Sequence, residues 1–324
     1  MKAIVYSGDV LKLEEIEKPV PADDEVLIKV RAASVNPLDY HLLHHPLMRR
    51  VMARASKVKI TRPGRDVAGQ VEAVGKKVKQ FKPRDEVFGA CNGAFAEYAC
   101  APQSAFASKP GNVSFEQTAS VPVAALTAFQ AFRDKAQIKP GQKVLINGAA
   151  GGVGTFAVQI AKTFSAEVTG VCSTRNVDMV RSIGADTVID YTREDFTSNG
   201  QHYDVIFDLV ANHSFAEYRR ALTPKGIYIG AGMIGLGGSM TGLLIHWIPQ
   251  LAMAPFVSQK FGSVLAKLNQ QDLNVIGALI AEGRVTPVID RHYSLSEVPE
   301  AVRYVEQGHA RGKVIINLNQ ADHS

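Results

Sequence analysis

The feature that most constrains the fold is a short apolar strand followed by a glycine-rich turn and a helix. Residues 144–146 are Val, Leu and Ile, residues 147–154 read Asn-Gly-Ala-Ala-Gly-Gly-Val-Gly, and a helix-forming stretch covers 156–164. Glycines at such a place let the chain turn sharply, let backbone N–H groups approach an anion, and let helix and strand pack closely. The helix N-terminus adds a favourable field for a phosphate. The pattern therefore predicts a βα unit whose turn can bind a pyrophosphate.

The spacing of these glycines is GxxGxxG rather than GxGxxG, which on its own is a weak motif. Its place between a strand and a helix favours a dinucleotide site over a glycine-rich turn without a ligand. No Gly-Lys-Ser/Thr follows, which excludes a P-loop of the nucleoside-triphosphatase type. The cofactor contacts predicted in this turn are Gly148, Ala150, Gly151, Gly152, Val153 and Gly154.

The end of the next predicted strand indicates which dinucleotide would bind. NAD sites place an Asp or Glu about 20 residues after the glycines, whereas this chain has Ser173, Thr174 and Arg175 there and no carboxylate. Two hydroxyls and a guanidinium suit a 2′-phosphate, which predicts NADPH rather than NADH. The structural alternative is that Ser173 caps the following helix and Arg175 is solvated. This alternative and the binding of a 2′-phosphate can both be true. Tyr191 ends a later predicted strand and could stack on the adenine.

The chain of 324 residues is long enough for two domains. Its first 110 residues are β-rich and punctuated by prolines, and a helical stretch predicted over 115–136 then leads into strands that alternate with helices. Fully apolar strands alternating with helices indicate a parallel sheet covered on both faces. Its last strand is predicted at 263–267, and the strands of the tail, 285–318, could return to the first domain.

Composition limits the partners. There are 36 Lys and Arg against 31 Asp and Glu, a net charge of +5, and the two signs are interspersed. We therefore expect no nucleic-acid partner, whereas a small anionic ligand fits. Three scattered cysteines and an N-terminus that turns polar after six residues predict a cytoplasmic protein without a disulfide framework.

Several short motifs together carry a resemblance to a known family. The chain resembles the zinc-independent quinone oxidoreductase branch of the medium-chain dehydrogenase/reductase superfamily, and within it bacterial relatives of the reticulon-4-interacting, mitochondrial quinone-reductase-like proteins. The match spans essentially the whole chain, with Arg84 where the family usually has Gly. Its pieces, besides the glycine-rich turn, are residues 33–40 (Ala-Ser-Val-Asn-Pro-Leu-Asp-Tyr), 63–69 (Pro-Gly-Arg-Asp-Val-Ala-Gly), 82–87, 119–128, 183–186 (Ile-Gly-Ala-Asp) and 312–316 (Gly-Lys-Val-Ile-Ile).

The resemblance implies an α/β protein with a GroES-like, β-rich substrate domain over 1–123 and 268–324 and a doubly wound Rossmann domain over 124–267. It implies an NADPH-dependent reductase of a quinone or an α,β-unsaturated carbonyl compound, often a homodimer, and cofactor contacts from Thr127 and Lys313. The alternatives are an NADP-dependent alcohol dehydrogenase and a non-catalytic nucleotide-binding partner protein.

The same resemblance bears on metal binding. Zinc-dependent relatives place a Cys where this chain has Asn36, a His-Glu pair at Arg65 and Asp66, and a third ligand near Val123. A zinc site needs three or four suitable ligands, so we expect none. Three histidines are interpreted as surface or pocket side chains rather than as metal ligands: His41, His44 and His45.

Without a metal, hydrogen-bond donors must stabilise the charge that develops on the acceptor. Asn36 and Tyr40 match the family motif that faces the nicotinamide, and Tyr40 could also supply the proton. The structural alternatives are that Asn36 bridges the turn before Pro37 and that Tyr40 packs in the core.

One long stretch, 226–259, contains no Asp, Glu, Lys or Arg. A membrane helix needs about 20 apolar residues, but glycines and prolines interrupt this stretch, so we expect no span. We expect a buried strand at 227–229, with Gly232 beside the nicotinamide because ligands bind at the carboxyl ends of parallel strands. The later part would form either an apolar wall of the acceptor pocket, with Trp247 in it, or a subunit contact. An apolar wall favours flat, hydrophobic acceptors.

Overall fold

The structure, a computed structural model, describes residues 1–45, 49–51, 54, 62–231 and 258–318. The chain divides into two compact units. The first unit comprises Met1–Leu126, Leu268–Gly283 and Pro287–Ser324, and the second comprises Thr127–Lys267 and Arg284–Thr286. The domain limits expected from the sequence, 123/124 and 267/268, lie close to these boundaries.

The first unit is built on β-structure. Its sheet has the strand order β14-β15-β3-β4-β5-β7, with β6 pairing to β3 as well, and β1 and β2 form a separate hairpin. Strand β15 pairs antiparallel with β3, so the tail of the chain lies in the sheet of this unit. The strands are β1 (Lys2–Ser7), β2 (Val10–Glu15), β3 (Glu25–Val35), β4 (Asp66–Val74), β5 (Glu86–Ala90), β6 (Tyr98–Pro102), β7 (Phe106–Ser108), β14 (Ile289–Ser294) and β15 (Lys313–Asn317).

A large apolar cluster packs against this sheet. Ile4, Ile28, Phe95 and Phe106 are completely buried in it. Ile4, Ile28 and Phe106 lie on β1, β3 and β7, and Phe95 lies in the segment before β6. The helices of the unit are α1 (Pro37–His44), α2 (Phe115–Ala119), α7 (Gln270–Ala281) and α8 (Val298–Glu306), and α3 (Pro122–Gln130) crosses into the second unit.

The continuous helix predicted over 115–136 is wrong, because the chain is interrupted before Pro122. A residue that precedes proline is disfavoured in the helical conformation, which ends α2 before Val121. The hydroxyl of Ser120 donates to the carbonyl of Gln117 at 2.6 Å at this break. After α3 the helix widens into a π-helical turn, Ala131–Ala136. The helix ends at Gln137, whose φ is 51°.

The second unit contains a sheet of six parallel strands. Their order is β10-β9-β8-β11-β12-β13. Numbered within the unit, this is 3-2-1-4-5-6, the doubly wound order of a Rossmann fold, which confirms the prediction. The strands are β8 (Lys143–Asn147), β9 (Glu167–Cys172), β10 (Thr187–Asp190), β11 (Tyr203–Asp208), β12 (Leu222–Gly230) and β13 (Lys260–Ser263), and the helices are α4 (Gly152–Thr163), α5 (Val177–Ser182) and α6 (Phe215–Ala221).

The last strand of this sheet lies earlier than the predicted 263–267. Strand β13 pairs with β12 from Lys260 to Ser263. Beyond it, the side-chain amide of Gln130 bonds both the N–H and the C=O of Lys267, each at 2.8 Å, in place of a strand partner. The predicted strand at 227–229 is confirmed as part of β12, with Tyr228 and Ile229 buried.

Among the described residues, none of the helices is both long and apolar enough to cross a membrane.

Candidate functional site

The glycine-rich turn lies between β8 and α4, as predicted. Gly148 has φ of 93°, a conformation that side-chain-bearing residues rarely adopt. Gly151 occupies the N-cap of α4. The first N–H groups of a helix have no intrahelical partner, so the start of α4 presents donors to an anion. The predicted contacts Ala150, Gly152, Val153 and Gly154 lie in the same turn and first helical turn.

The turn is packed too closely to accept a side chain at its last glycine. A Cβ at Gly154 would lie 2.1 Å from the carbonyl oxygen of Gly148 and 2.8 Å from the backbone of Ala149. At Gly151 the corresponding nearest distance is 3.5 Å, an ordinary contact. Gly154 therefore serves the close approach of helix and strand. Such close packing at the last glycine is typical of dinucleotide-binding βα units.

A buried polar cluster lies at the point where the strand order reverses, between β8 and β11. Asp208 ends β11 and is 2% exposed. Its Oδ1 accepts from Asn147 Nδ2 at 2.9 Å and from the N–H groups of Val210 and Ala211, each at 3.1 Å. Its Oδ2 accepts from the hydroxyl of Tyr228 at 2.7 Å. The carboxylate fixes the loop that follows β11 beside the glycine-rich turn, at the switch point where doubly wound sheets bind ligands.

The three residues predicted to bind a 2′-phosphate follow β9 directly. Ser173 is the N-cap of a short 3₁₀ helix, Thr174–Asn176, and Arg175 is exposed. Ser173 does not cap the helix with its own side chain, because its hydroxyl accepts from Asn176 Nδ2 at 3.2 Å. Tyr191 follows β10, is 62% exposed, and donates its N–H to Cys172 at 3.0 Å.

Sequence reasoning missed a carboxylate beside these residues. Asp190, the last residue of β10, pairs in register with Cys172 and accepts the hydroxyl protons of Thr174 at 2.6 Å and Thr192 at 2.8 Å. These hydrogen bonds, that of Thr174 first, hold the pKa of Asp190 below its usual range. The single hydroxyl proton of Thr174 is thus already donated to a carboxylate. The signal was present as an acidic residue at the end of the neighbouring strand.

In the first unit, Asn36, Asp66 and Lys313 meet in a second buried cluster. Their exposures are 3%, 0% and 3%. Lys313 Nζ lies 2.7 Å from Asn36 Oδ1 and 3.3 Å from Asp66 Oδ2. Asn36 Nδ2 donates to Asp66 Oδ2 at 2.9 Å. The hydroxyl of Ser34 and the N–H of Val123 also donate to Asp66, each at 3.0 Å.

This cluster gives Asn36 and Lys313 partners that differ from those predicted. The Asn36 side-chain amide contacts Asp66 and Lys313. To donate a hydrogen bond to the substrate instead, its NH₂ group would have to give up the hydrogen bond to Asp66. The amino group of Lys313, predicted as a cofactor contact, is committed to two oxygens within its own unit. Both predicted roles stay predictions, and the geometry adds a structural role for each residue.

The start of α1 is tied to this cluster. Asp39 accepts the N–H of Asn36 at 2.8 Å and the N–H of Gly64 at 3.1 Å. Burial raises the pKa of Asp39 to about 6. The two hydrogen bonds lower this pKa, and the nearby charge of Asp66 raises it further. Tyr40 is 9% exposed and belongs to the core cluster. Burial, and to a smaller extent the charge of Glu306, raise the pKa of its phenol.

The residues at the expected zinc-ligand positions do not fit a metal. Asn36 and Val123 lie against Asp66, and the carboxylate oxygens of Asp66 are taken by N–H donors of Asn36 and Val123 and by the ammonium of Lys313, so that a cation there would meet donors and a positive charge. Across the part of the chain that the structure describes, no three His, Cys, Asp or Glu side chains could hold a metal together. His41 is buried, whereas His44 pairs with Glu306 at 3.1 Å.

Three predicted site residues remain to be placed. Thr127 lies in α3 and is 9% exposed. Gly232 and Trp247 lie outside the described residues, and so does the predicted apolar wall between 232 and 257.

Comparison with known proteins relates the whole chain to one family. Residues 22–111 match the family described as an alcohol dehydrogenase GroES-like domain, and residues 183–316 match the family described as a zinc-binding dehydrogenase. The chain is 35% identical to the chloroplastic NADPH-dependent alkenal/one oxidoreductase of Arabidopsis thaliana, over 98% of this chain and 79% of that protein.

Two further relatives agree. The mitochondrial NAD(P)H oxidoreductase RTN4IP1 of Mus musculus is 34% identical, over 91% of this chain and 82% of that protein. The quinone oxidoreductase of Coxiella burnetii superposes with a TM-score of 0.84 at 30% identity, over 98% of this chain and 99% of that one.

The chain belongs to the medium-chain dehydrogenase/reductase superfamily. Within it, the relatives support the quinone oxidoreductase branch. The first unit contains the family's GroES-like domain and the second its Rossmann domain, which confirms the expected fold class. Membership makes the chain an oxidoreductase with a nicotinamide cofactor.

Proposed function

We propose that this chain transfers a hydride from NADPH to a quinone or an α,β-unsaturated carbonyl compound without zinc. The observation that carries the proposal is the glycine-rich turn at the switch point of a six-stranded Rossmann sheet. The alkenal/one oxidoreductase of Arabidopsis thaliana and the quinone oxidoreductase of Coxiella burnetii, both similar to this chain, represent the two acceptor classes. A bound dinucleotide supplies the hydride, and the acceptor takes up that hydride and one proton.

The preference for NADPH over NADH rests on Arg175 and Ser173. With the hydroxyl of Thr174 donated to Asp190, the exposed guanidinium of Arg175 is the strongest donor for a 2′-phosphate. Arg175→Ala should weaken NADPH binding by about 1–3 kcal/mol and leave NADH binding nearly unchanged. Arg181→Ala removes another exposed guanidinium nearby, one that pairs with Asp178, and is the matched control. Equal affinities of the wild type for the two cofactors would contradict the preference.

The proton is assigned to Tyr40. A phenol is protonated at neutral pH, so Tyr40 can give its proton to the reduced acceptor and recover one from solvent. Tyr40→Phe should lower kcat about a hundredfold with the NADPH Kd unchanged. Tyr293→Phe is the matched control, because Tyr293 is also 9% exposed in the same core cluster. A Tyr40→Phe enzyme with full turnover would remove the phenol from the reaction.

The acceptor class follows from the sequence between 232 and 257, which carries no charged residue. Such a stretch suits flat, hydrophobic acceptors if it lines their site, and Trp247, the single tryptophan, would then report acceptor binding by its fluorescence. Saturable quenching by a hydrophobic quinone supports this placement, whereas an unchanged signal at saturating acceptor contradicts it.

Assembly and location complete the proposal. We expect a homodimer, which light scattering measures directly. A reducing compartment such as the cytoplasm fits the three thiols, all unpaired, of which Cys91 and Cys172 are buried. Fractionation of the native cells tests that location.

A further inference from the structure

We infer that Lys313 is a positioning residue that acts through Asn36 on the start of α1, and not a contact to the cofactor. The inference deepens the proposed function and rests on it, because the residue that it positions for the reaction is Tyr40.

The first step concerns the orientation of the Asn36 amide. A lysine ammonium has three donors and no acceptor, so the atom of Asn36 that lies 2.7 Å from Lys313 Nζ must be the carbonyl oxygen. That fixes Nδ2 on the opposite side, where it donates to Asp66 Oδ2 at 2.9 Å. Both ends of the amide are therefore held by charged groups, and each such bond is stronger than one between neutral groups.

The second step concerns what the amide holds. Asn36 is the N-cap residue of α1, with φ of −125° and ψ of 155°. Its backbone N–H donates to Asp39 in the first turn of the helix, and Asp39 also accepts from Gly64. A change in the Asn36 side chain thus shifts the first turn of α1, which carries Tyr40 as its fourth residue.

The third step concerns why a lysine is needed there. Asp66 is fully buried and accepts from Ser34, Asn36, Val123 and Lys313, of which only Lys313 carries a charge. A buried carboxylate without a counter-charge is costly. Lys313 both neutralises Asp66 and aligns Asn36, and these two effects can be separated by substitution.

The experiment compares two ion pairs of the first unit, each of which contains a buried lysine side chain. Lys313→Met tests the charge alone, and Lys313→Met combined with Asp66→Asn removes both charges, so that no unpaired carboxylate remains. The matched control is Lys109→Met combined with Glu86→Gln, because the Lys109 side chain is 5% exposed and its Nζ lies 3.0 Å from Glu86.

Three quantities are measured on each protein: the NADPH Kd, kcat and KM with a short-chain quinone, and hydrogen exchange of the peptide 36–45. The Lys313/Asp66 double variant should bind NADPH within about twofold of the wild type, because Lys313 is not a contact. Its kcat should fall about ten- to a hundredfold, since small misplacements of catalytic groups cost that much. The peptide 36–45 should exchange faster, and the Lys109/Glu86 control should change none of the three.

Two results would overturn the inference. A tenfold or greater rise of the NADPH Kd in the double variant would make Lys313 a cofactor contact. An unchanged kcat together with unchanged exchange over 36–45 would leave Lys313 without a positioning role. Lys313→Arg, which keeps the charge, is measured in the same way if the methionine variants do not fold, and a tenfold or greater rise of its NADPH Kd would likewise make Lys313 a cofactor contact.

The test also separates this inference from the proposed function. A wild type that binds NADPH but reduces neither quinones nor enones contradicts the proposed function, and the exchange of peptide 36–45 then decides the inference by itself.

Discussion

Each unit contains an almost completely buried carboxylate that several side chains and backbone groups surround, and the two are stabilised in different ways. Asp66 in the first unit is 0% exposed and Asp208 in the second is 2% exposed. Asp66 has an ammonium among its partners, that of Lys313. Asp208 receives hydrogen bonds from neutral donors of the described residues: an amide, two backbone N–H groups and a phenol. A charge can be stabilised by a counter-charge or by several oriented dipoles.

The difference follows from what each carboxylate connects. Asn36 and Lys313 are 277 residues apart, so the first cluster joins the tail strand to the start of α1. The partners of Asp208 lie at neighbouring strand ends and in the loop directly after it. A counter-charge ties distant segments together strongly, but its loss leaves a full buried charge. Several neutral donors fix a local loop, and the loss of one leaves the others in place.

The largest effect is expected from the charged cluster. Lys313→Met should lower the free energy of unfolding by about 3–5 kcal/mol, because it strands Asp66 as an unpaired buried charge. Adding Asp66→Asn should recover most of that loss. Urea unfolding of the three proteins measures both steps. Additive losses in the double variant would show that the two charges do not interact.

The next effect concerns pH and Asp39, which lies beside the charged cluster. Its folded pKa of about 6 lies above the ordinary 3.8. The folded state therefore binds the proton more tightly than the unfolded state, so this contribution to stability is present below about pH 4 and is lost as pH rises through about 6. The full difference corresponds to about 3 kcal/mol.

The check is the difference in unfolding free energy between the wild type and Asp39→Asn at pH 4 and at pH 7. The unfolding free energy of the wild type, relative to that of the variant, should fall as pH rises. A difference that grows in favour of the wild type would mean that the carboxyl pKa is depressed.

The smallest effect is expected from the neutral cluster. Tyr228→Phe removes one of the four donors to Asp208 and should cost about 1–3 kcal/mol. Tyr304→Phe is the matched control, because its hydroxyl also lies 2.7 Å from a carboxylate, that of Asp290, in a more exposed place. Thermal unfolding of both variants should show the larger shift for Tyr228→Phe. If Tyr228→Phe lowered the unfolding free energy as much as Lys313→Met does, the charged cluster around Asp66 and the neutral cluster around Asp208 would not differ in the way described.

The parts of the fold that sequence could predict are those with local signals. The turn from Gly148 to Gly154 and the alternation of strands and helices depend on neighbouring residues. The break before Pro122 had a local signal too, the restriction on the residue before a proline, which the long helical pattern concealed. Arg84 adopts φ of 80°, a conformation that favours the glycine expected there from the family resemblance.

The parts that could not be predicted depend on contacts between distant segments. The pairing of Lys313 with Asn36 and Asp66 follows from β15 joining β3, a register that no short motif encodes. Asp190 contacts Thr174 because β10 pairs with β9. The carboxylate therefore comes from the end of β10, whereas the usual sequence pattern places it at the end of β9. Similarly, the side-chain amide of Gln130 bonds the backbone of Lys267, a contact between residues 137 positions apart that no local pattern shows.

The measurement that tests the central claim most directly is the oxidation of NADPH by protein dialysed against a chelator, followed with a quinone and with an alkenal. The account predicts saturable NADPH oxidation, one equivalent of reduced acceptor per NADPH, and no gain on adding zinc, because an ammonium and N–H donors occupy the place of the metal. Protein that binds NADPH but oxidises it with neither acceptor, or that works only after zinc is restored, would contradict the account.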